Sequence, residues 1–174
     1  MNQNYLIFAD SINNTNEYQI MKILILCHGN ICRSPMAEGI LINKLKKTQI
    51  DCAVDSAGFE PYHLNETPDR RAIKTMKDHG MDISDYRARL FSTRDYDEFD
   101  KIYVMDNNNY RNALDFARNK EDDSKVDYIM NMVYKDKDVA VPDPYYGGDD
   151  GFENVYKMLD LACDKIIESL SKKK

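Results

Sequence analysis

A cysteine and an arginine six residues apart are the residues of this sequence best suited to covalent chemistry. Cys27 and Arg33 bound a segment that reads Cys27-His28-Gly29-Asn30-Ile31-Cys32-Arg33-Ser34-Pro35. A cysteine thiolate can attack phosphorus, and a guanidinium group binds two oxygens of a phosphate in a planar fork. The spacing indicates a loop that holds a phosphate-sized anion against a nucleophilic sulfur. The predicted members of this phosphate loop are His28, Gly29, Asn30, Ile31, Cys32, Arg33 and Ser34.

A buried strand and a capped helix are predicted on the two sides of this loop. Residues 22–26 form a short apolar run typical of a parallel strand, while Ser34 is the expected N-cap and Pro35 the first helical residue. A loop that curls over a helix N-terminus directs backbone N–H groups and the positive end of the helix dipole toward its centre. Gly29 is expected to adopt a positive φ angle there. The resulting positive field favours the thiolate form of Cys27.

The same chemistry needs a proton donor for the leaving group, and Asp143 is the candidate. It lies in the segment Val141-Pro142-Asp143-Pro144-Tyr145-Tyr146-Gly147, in which a proline on each side stiffens the backbone. A positioned carboxylic acid typically contributes about 10²- to 10⁴-fold to a rate. Tyr145 and Tyr146 are predicted to wall a slot for an aromatic ring. Together the two segments indicate hydrolysis of a phosphate ester.

Strands and helices are predicted to alternate along the rest of the chain. Apolar runs predict strands at 22–26, 50–56, 100–105 and 126–130, and helical periodicity predicts helices at 36–47, 69–79, 108–118 and 151–170. This order predicts an α/β fold, a three-layer sandwich whose central four-stranded parallel sheet is covered by helices on both faces. Ligands of such sheets bind beyond the carboxyl ends of the strands, where the Cys27 loop lies. We expect one domain at 21–174 and a flexible extension at 1–20, which is rich in Asn and lacks periodicity.

The composition opposes several other classes of protein. A formal net charge of −6 opposes a general nucleic-acid-binding surface, and no apolar run approaches the roughly 20 residues of a membrane-spanning helix. The first twenty residues lack the pattern of a signal peptide, so we expect a cytoplasmic protein with reduced cysteines. No second Cys/His pair has zinc-site spacing, and we expect neither a metal nor another cofactor. No Gly-x4-Gly-Lys-Ser/Thr motif supports a nucleotide-binding loop.

Two residues of the loop each have more than one interpretation. Cys32 could form a reversible disulfide with Cys27 that protects the nucleophile from over-oxidation, or it could pack beneath the loop. His28, directly beside the nucleophile, could contact the substrate or a nearby acidic group, or it could face solvent. The sequence leaves both pairs of alternatives open.

These motifs, in their order and spacing, resemble the low-molecular-weight protein tyrosine phosphatase family from Met21 to the final helix. The residues that carry the resemblance are Cys27-x5-Arg33-Ser34-Pro35 and Asp143-Pro144-Tyr145-Tyr146-Gly147, with landmarks at Asp55-Ser56-Ala57-Gly58, Pro68-Asp69, His79-Gly80 and Met105-Asp106. The resemblance implies that Cys27 forms a phosphocysteine intermediate and that Arg33 binds phosphate and stabilises the transition state. Asp143 would protonate the leaving phenolate and then activate water.

The same resemblance implies further site residues and partners. It implies supporting residues for the loop at Asn30, Ser34, Ser56, His79 and Asp106. Tyr62 falls where the family carries an aromatic wall of the substrate slot. The expected substrates are phosphotyrosine-containing proteins, and inorganic phosphate or other oxyanions are expected to bind in the loop.

Three other functions compete with this interpretation. Arsenate reduction on the same fold needs resolving cysteines downstream, and residues 60–162 contain no cysteine. Relatives that act as protein-arginine phosphatases carry a threonine where this chain has Ile31, and they lack the Tyr145-Tyr146 pair. A phosphotyrosine-binding module without activity would lack a nucleophile or an acid, and both are present. A protein-tyrosine phosphatase is therefore predicted, with a protein-arginine phosphatase as the alternative.

Overall fold

The structure is a computed structural model that describes residues 20–145 and 148–172. The predicted flexible extension lies, up to residue 19, outside the described residues. The same is true of Tyr146 and Gly147 in the segment that carries Asp143.

A four-stranded parallel sheet with the order β2-β1-β3-β4 forms the centre of the described chain. Its strands are β1 (Met21–Cys27), β2 (Cys52–Gly58), β3 (Lys101–Val104) and β4 (Val126–Tyr128). Along β1, Met21 pairs with Cys52 and Cys27 with Gly58, so the two central strands end side by side. The predicted α/β fold with four parallel strands is confirmed.

Six α-helices and two short 3₁₀ turns connect and cover these strands in the described ranges. The helices are α1 (Arg33–Leu45), α2 (Arg70–Asp78), α3 (Asp95–Glu98), α4 (Asn107–Leu114), α5 (Lys120–Lys125) and α6 (Asp149–Ser171), and the 3₁₀ turns are Pro61–His63 and Ile129–Met132. The four long predicted helices are present with shifted ends. The short helices α3 and α5 were not predicted, because four to six residues carry too little periodicity to detect. Of the helices in the described chain, none is long and apolar enough to cross a bilayer.

Alternate residues of β1 enter two separate apolar cores, which explains its continuous apolar sequence. Ile23, Ile25 and Cys27 pack with residues of α1, α2 and α6, whereas Leu24 and Leu26 pack with residues of α3 and α4. Successive side chains of a strand point to opposite faces of a sheet, so a strand covered on both faces must be apolar at every position. The sheet is thus the middle of three layers, as the sequence predicts.

The first turn of α1 differs from the prediction. The helix begins at Arg33, its N-cap residue is Cys32, and no side chain caps it. Ser34 is the second helical residue and Pro35 the third, so the expected N-cap role of Ser34 is wrong. The physical reason is that the Ser34 hydroxyl bonds side chains of the preceding loop instead of a backbone N–H of its own helix.

The order of the strands reverses at β1, and this reversal opens a crevice at the carboxyl end of that strand. The neighbour on one side is β2, which follows through α1, and the neighbour on the other side is β3, which follows much later. Parallel sheets bind ligands at such a switch point, because the loops from the two neighbouring strands part there. Residues 28–32, which follow β1, lie at this crevice.

Candidate active site

Cys27 is the last residue of β1 and lies at the base of the crevice. The residue is only 2% exposed, and its Sγ lies 3.0 Å from the hydroxyl oxygen of Ser34. The N–H groups of the first turn of α1 have no acceptor within the helix, and they add positive potential on the same side. The sulfur is therefore placed where a negative charge is stabilised.

Asn30 holds the loop in shape through both ends of its side-chain amide. Its Nδ2 donates to the hydroxyl oxygens of Ser34 and Ser56, at 2.9 and 2.8 Å, and its Oδ1 accepts the backbone N–H of Arg89 at 2.9 Å. Asn30 also has a φ of 54°, whereas Gly29 is not in the left-handed region, so the prediction for Gly29 is wrong. Asn tolerates this conformation better than most residues, and its three hydrogen bonds offset the remaining strain.

These bonds leave the Ser34 proton available for Cys27. Each of the two Asn30 amide hydrogens is used, one on Ser34 and one on Ser56, so both hydroxyl oxygens act as acceptors toward Asn30. The Ser34 hydroxyl can therefore donate to the Cys27 sulfur, which can only accept when it is a thiolate. A donated hydrogen bond favours the ionised form of the group that accepts it. Asn30, Ser34 and Ser56 thus form one hydrogen-bond network beside Cys27.

Gly58, at the end of β2, allows the loop to pack directly against the sheet. A Cβ atom at this position would lie 2.7 Å from both the backbone nitrogen of Asn30 and the carbonyl oxygen of His28. No side chain fits at that distance from rigid backbone atoms. The carbonyl of His28 also accepts the N–H groups of Phe59 and Glu60, at 2.7 and 3.2 Å, which ties the loop to the segment after β2.

Glu38 is the last residue of the hydrogen-bond network that runs from Asn30 through Ser56. Glu38 was not predicted from the sequence to belong to the site. Its Oε2 accepts the Ser56 hydroxyl at 2.6 Å. Burial raises the pKa of Glu38 to about 7, the Ser56 hydrogen bond opposes that rise, Asp55 adds to it and Arg89 opposes it. One signal was available: Glu38 is four residues after Ser34 in a predicted helix, so the two share a face.

The raised pKa of Glu38 predicts a pH-dependent cost in stability. The folded protein keeps this proton up to about pH 7, whereas the unfolded chain releases it near 4.5. Folding stability therefore falls as the pH rises through this window. Glu38→Gln removes the cost, since the amide oxygen still accepts the Ser56 hydroxyl. Between pH 4.5 and 7 the variant is expected to gain up to about 3 kcal/mol on the wild type, measured by urea unfolding. A difference that does not change with pH would contradict this.

Arg33 is the first residue of α1, and its guanidinium is fixed from two sides. Nη1 donates to Asp106 Oδ2 at 2.6 Å and to the carbonyl of Val141 at 3.1 Å, while Nη2 donates to Asp143 Oδ2 at 2.8 Å. The side chain is only 3% exposed. Burial lowers the Arg33 pKa, but the charges of Cys27, Asp143 and Asp106 outweigh burial and raise the pKa above its ordinary value. Arg33 therefore stays cationic at the base of the crevice.

Asp106 has two roles that the sequence could not separate. Its Oδ1 accepts the Asn109 N–H at 2.8 Å and so caps α4, while its Oδ2 binds Arg33. A carboxylate held by a helix N-terminus is a fixed partner for a guanidinium. Asp106 thus links the start of α4 to the Arg33 guanidinium.

Asp143 reaches the same crevice from a distant part of the chain. The segment enters through Val141, whose N–H donates to the carbonyl of Met105 at 2.8 Å. Asp143 Oδ1 accepts the Tyr145 N–H at 3.1 Å, and Oδ2 contacts Arg33. We call residues 142–145 the acid loop. The structure thus brings the predicted acid and the predicted nucleophile to the same cavity, with Arg33 in contact with the acid.

A cavity of about 310 Å³ opens above these groups. Its lining residues are Cys27, His28, Gly29, Ile31, Cys32, Arg33, Glu60, Tyr62, His63, Asp143 and Tyr145. Tyr62 is 81% exposed and Tyr145 41% exposed, so these two of the three predicted slot residues lie at the entrance. His28 faces an acidic group, with its Nε2 3.5 Å from Glu60 Oε1. His63 and Glu60 were not predicted to line the site.

Cys32 lines the same cavity and is buried. Burial raises its pKa far above the ordinary value, and the charges of Cys27, Asp69 and Asp143 raise it further, while Arg71 opposes them. Cys32 is therefore a protonated thiol at neutral pH. Cys27, Cys32, Cys52 and Cys163 are all free thiols.

His79 does not lie where the resemblance implies. It is the C-cap residue of α2, with its Nε2 2.9 Å from Glu153 Oε2 and its ring stacked on Tyr156 at a centroid distance of 3.6 Å. These contacts join the far end of α2 to α6. The prediction that His79 supports the phosphate loop is wrong, and Glu38 ends the network instead.

Metal-ligating side chains do not cluster in the part of the chain that the structure describes. Within residues 20–145 and 148–172, no group of three or more His, Cys, Asp or Glu side chains is placed to hold a metal ion. At the base of the crevice, the Arg33 cation and the Ser34 hydroxyl beside Cys27 suit an oxyanion.

Comparisons with known proteins agree with this arrangement. A sequence profile described as low molecular weight phosphotyrosine protein phosphatase matches residues 22–174. A relative from Synechocystis sp. whose name places it in that family is 42% identical over 154 residues, 87% of this chain and 98% of that protein. The crystal structure of a protein tyrosine phosphatase from Entamoeba histolytica, with Hepes in the active site, has a TM-score of 0.81 and 35% identity, covering 88% of this chain and 98% of that chain. The Drosophila arginine phosphatase DARP has a TM-score of 0.75 and 30% identity, covering 86% and 97%.

Proposed function

This chain belongs to the low molecular weight phosphotyrosine protein phosphatase family, and we propose that it hydrolyses phosphotyrosine in proteins through a phosphocysteine on Cys27. The observation that carries the assignment of residues is the meeting of three groups at one crevice. Arg33 contacts Asp143 directly, and both line the cavity at whose base the Cys27 sulfur lies. A nucleophile, an anion clamp and an acid are the groups that the reaction requires.

In the first step, the Cys27 thiolate attacks phosphorus and the bond from phosphorus to the phenolic oxygen breaks. Asp143, as the carboxylic acid, gives its proton to that oxygen, so tyrosine leaves as a neutral phenol. Arg33 and the loop bind the oxygens of the transferring group, whose charge is spread in the transition state. The Ser34 hydroxyl, 3.0 Å from the sulfur, stabilises the thiolate before attack.

In the second step, water attacks the phosphocysteine from the side that the phenol has left. The Asp143 carboxylate takes a proton from this water, and the bond between sulfur and phosphorus breaks. The products are inorganic phosphate and the Cys27 thiolate, with Asp143 again protonated. Every proton and electron pair is accounted for by the chain, the ester and one water molecule.

The ion pair between Arg33 and Asp143 uses one side of the guanidinium group. The Nη2 group that faces the acid loop is 2.8 Å from Asp143 Oδ2, while Nη1 is anchored by Asp106 and Val141. A bound phosphate dianion competes with the Asp143 carboxylate for Nη2. The displaced carboxyl is then available to give its proton to the leaving oxygen, as the first step requires.

Selectivity for tyrosine rests on the walls of the cavity. Ile31, Tyr62 and Tyr145 supply apolar and aromatic surface around the opening, which favours a phenyl ring over the polar guanidinium of phosphoarginine. We expect kcat/KM on a phosphotyrosine peptide to exceed that on the matched phosphoarginine peptide by at least about 10-fold. Ile31→Thr is expected to reduce this ratio. Faster cleavage of phosphoarginine by the wild type would replace tyrosine by arginine as the substrate.

Protection of the nucleophile is the proposed role of Cys32. Peroxide would oxidise the Cys27 thiolate to sulfenic acid, and the Cys32 thiol would then attack that sulfur, release water and form a disulfide. A thiol reductant reverses the bond. The placement of both cysteines in one cavity supports this proposal.

The remaining predictions extend the same proposal. Residues 21–174 are taken as one phosphatase domain, acting in the cytoplasm on phosphotyrosine-containing proteins. Free cysteines at all four positions support a reducing compartment. Inorganic phosphate and related oxyanions are expected to bind the loop as product or inhibitors.

A further inference from the structure

Arg71, the second residue of α2, contacts the acid loop from outside the cavity. Its Nη2 donates to the backbone carbonyl of Tyr145 at 3.0 Å. The same guanidinium is held by Asp69, whose Oδ1 accepts Nε at 3.0 Å and whose Oδ2 accepts Nη2 at 2.8 Å. The two-point contact fixes the plane of the guanidinium and hence the direction of the bond to Tyr145.

This contact is part of a continuous path between the two loops of the active site. The Asp69 backbone N–H donates to the carbonyl of Ile31, in the phosphate loop, at 2.7 Å. Asp69 binds Arg71, Arg71 binds the Tyr145 carbonyl, and the Tyr145 N–H binds Asp143 Oδ1 at 3.1 Å. The path therefore runs from the loop that binds phosphate to the carboxyl that gives the proton.

Aromatic rings fix the other face of the Arg71 side chain. Its guanidinium carbon lies 4.7 Å from the centre of the Phe152 ring and 5.6 Å from that of the Tyr145 ring. Phe152 is fully buried in α6, so it offers a rigid surface. Arg71 thus joins α2, the acid loop and α6 with a single group.

The acid loop needs a fixed point on each side of Asp143. Val141 supplies the first, because its N–H binds the Met105 carbonyl and its own carbonyl binds Arg33. The bond from Arg71 to the Tyr145 carbonyl supplies the second, two residues after the acid. Catalytic groups must be held within about 0.5 Å of the productive geometry, which a loop with one fixed end does not ensure.

We propose that Arg71 is a positioning residue for proton transfer. It holds the acid loop in the position from which the Asp143 carboxyl reaches the leaving oxygen. This inference rests on the proposed function of Asp143. It assigns no contact between Arg71 and the substrate. The role belongs to the step in which the ester bond breaks, so its loss depends on how much the leaving group needs a proton.

The test compares two phosphate esters that differ only in the leaving group, phenyl phosphate and p-nitrophenyl phosphate. Arg71→Leu is expected to lower kcat/KM for phenyl phosphate by about 10- to 100-fold, because a small displacement of a catalytic group has effects of this size. The loss for p-nitrophenyl phosphate is expected to be several times smaller, since its leaving group departs readily without a proton. Arg71→Lys, which keeps one donor, is expected to show the same selectivity with a smaller loss.

Two controls separate positioning from folding and from substrate binding. Arg70→Leu removes the same charge from the neighbouring, exposed residue of α2 and is expected to leave both rates within about twofold. In the Asp143→Asn background, Arg71→Leu is expected to cause no further loss with phenyl phosphate, because there is no acid left to position. Inhibition by inorganic phosphate should be the same in wild type and Arg71→Leu.

Equal losses for the two esters, or a full additional loss in the Asp143→Asn background, would overturn the inference and assign Arg71 to substrate binding or to folding. The failure of the proposed function is a different result. In that case Asp143→Asn itself would lack any dependence on the leaving group, whatever Arg71→Leu does.

Discussion

Cys27→Ser is expected to fold, to bind phosphate and to lose at least about 10⁴-fold in kcat/KM on aryl phosphates. The change replaces one atom at the base of the crevice, and the Ser34 hydroxyl and Arg33 remain in place. A serine hydroxyl does not ionise in this environment as a thiol does, and no base is positioned beside it to remove its proton. Steady-state turnover measures the loss, and inhibition constants for inorganic phosphate, measured by competition in the residual activity or by calorimetry, measure retained binding.

Cys52→Ser is the matched control, because it makes the same chemical change outside the cavity. Cys52 begins β2, and burial, with a smaller effect of Asp100, raises its pKa to about 11, so it is a neutral thiol. Its replacement is expected to leave turnover within about twofold. If Cys27→Ser kept a substantial part of the wild-type rate, Cys27 would not be the nucleophile and the phosphocysteine mechanism would be wrong.

Asp143→Asn is expected to lower kcat/KM by about 10²- to 10⁴-fold for phenyl phosphate and far less for p-nitrophenyl phosphate. The amide has nearly the shape of the carboxyl and can still accept the Tyr145 N–H through its oxygen. It cannot give a proton to the leaving oxygen. An ester whose leaving group is a poor one therefore reacts through a much less stable transition state.

Asp150→Asn provides the corresponding control for the removal of one negative charge near the acid loop. Asp150 is an exposed residue in the first turn of α6, and both esters should react at rates close to those of the wild type. Losses of the same size for both esters in Asp143→Asn would show that Asp143 binds or orients the phosphate and does not protonate the leaving group.

Arg33 connects these two predictions, because it lies in the phosphate loop that carries Cys27 and also contacts Asp143 in the acid loop. One edge of its guanidinium is fixed by Asp106 and Val141, while the other faces Asp143. Since Asp106 also caps α4, the orientation of Arg33 depends on the end of a helix on the opposite side of the sheet. Such support keeps a long side chain in one rotamer in the absence of substrate, which lowers the entropy lost on binding.

The phosphate loop shows how far local sequence can be interpreted. The identities of Cys27 and Arg33, the strand before them and the helix after them were enough to predict an anion site at the end of β1. The conformation within the loop was less predictable. Glycine is the usual residue at positive φ, so Gly29 was expected there. Asn30 takes that conformation instead, because its side chain is held by three hydrogen bonds, one with nearby Ser34 and two with the distant residues Ser56 and Arg89.

Errors at Ser34 and His79 have the same physical origin. Ser34 has the composition of a helix cap, yet its hydroxyl bonds Cys27 and Asn30, which fold back over the first turn of α1. His79 precedes a glycine as a family landmark, but its ring lies on Tyr156 in a helix that begins 70 residues later. In both cases the role of the side chain depends on the group that it contacts in the folded protein. The residue type and its immediate neighbours in the sequence do not identify that group.

The sequence by itself determined the reaction chemistry, the order of strands and helices, and the position of the site at the end of the first strand. These depend on residue type and short-range periodicity, which a linear pattern contains. Tertiary structure decided which distant groups complete the site, among them Glu38 beneath Ser56 and Arg71 beside Tyr145. A hydrogen bond requires its donor and acceptor to lie within about 3 Å, and for residues far apart in the chain only the packing of helices on the sheet brings them to that distance.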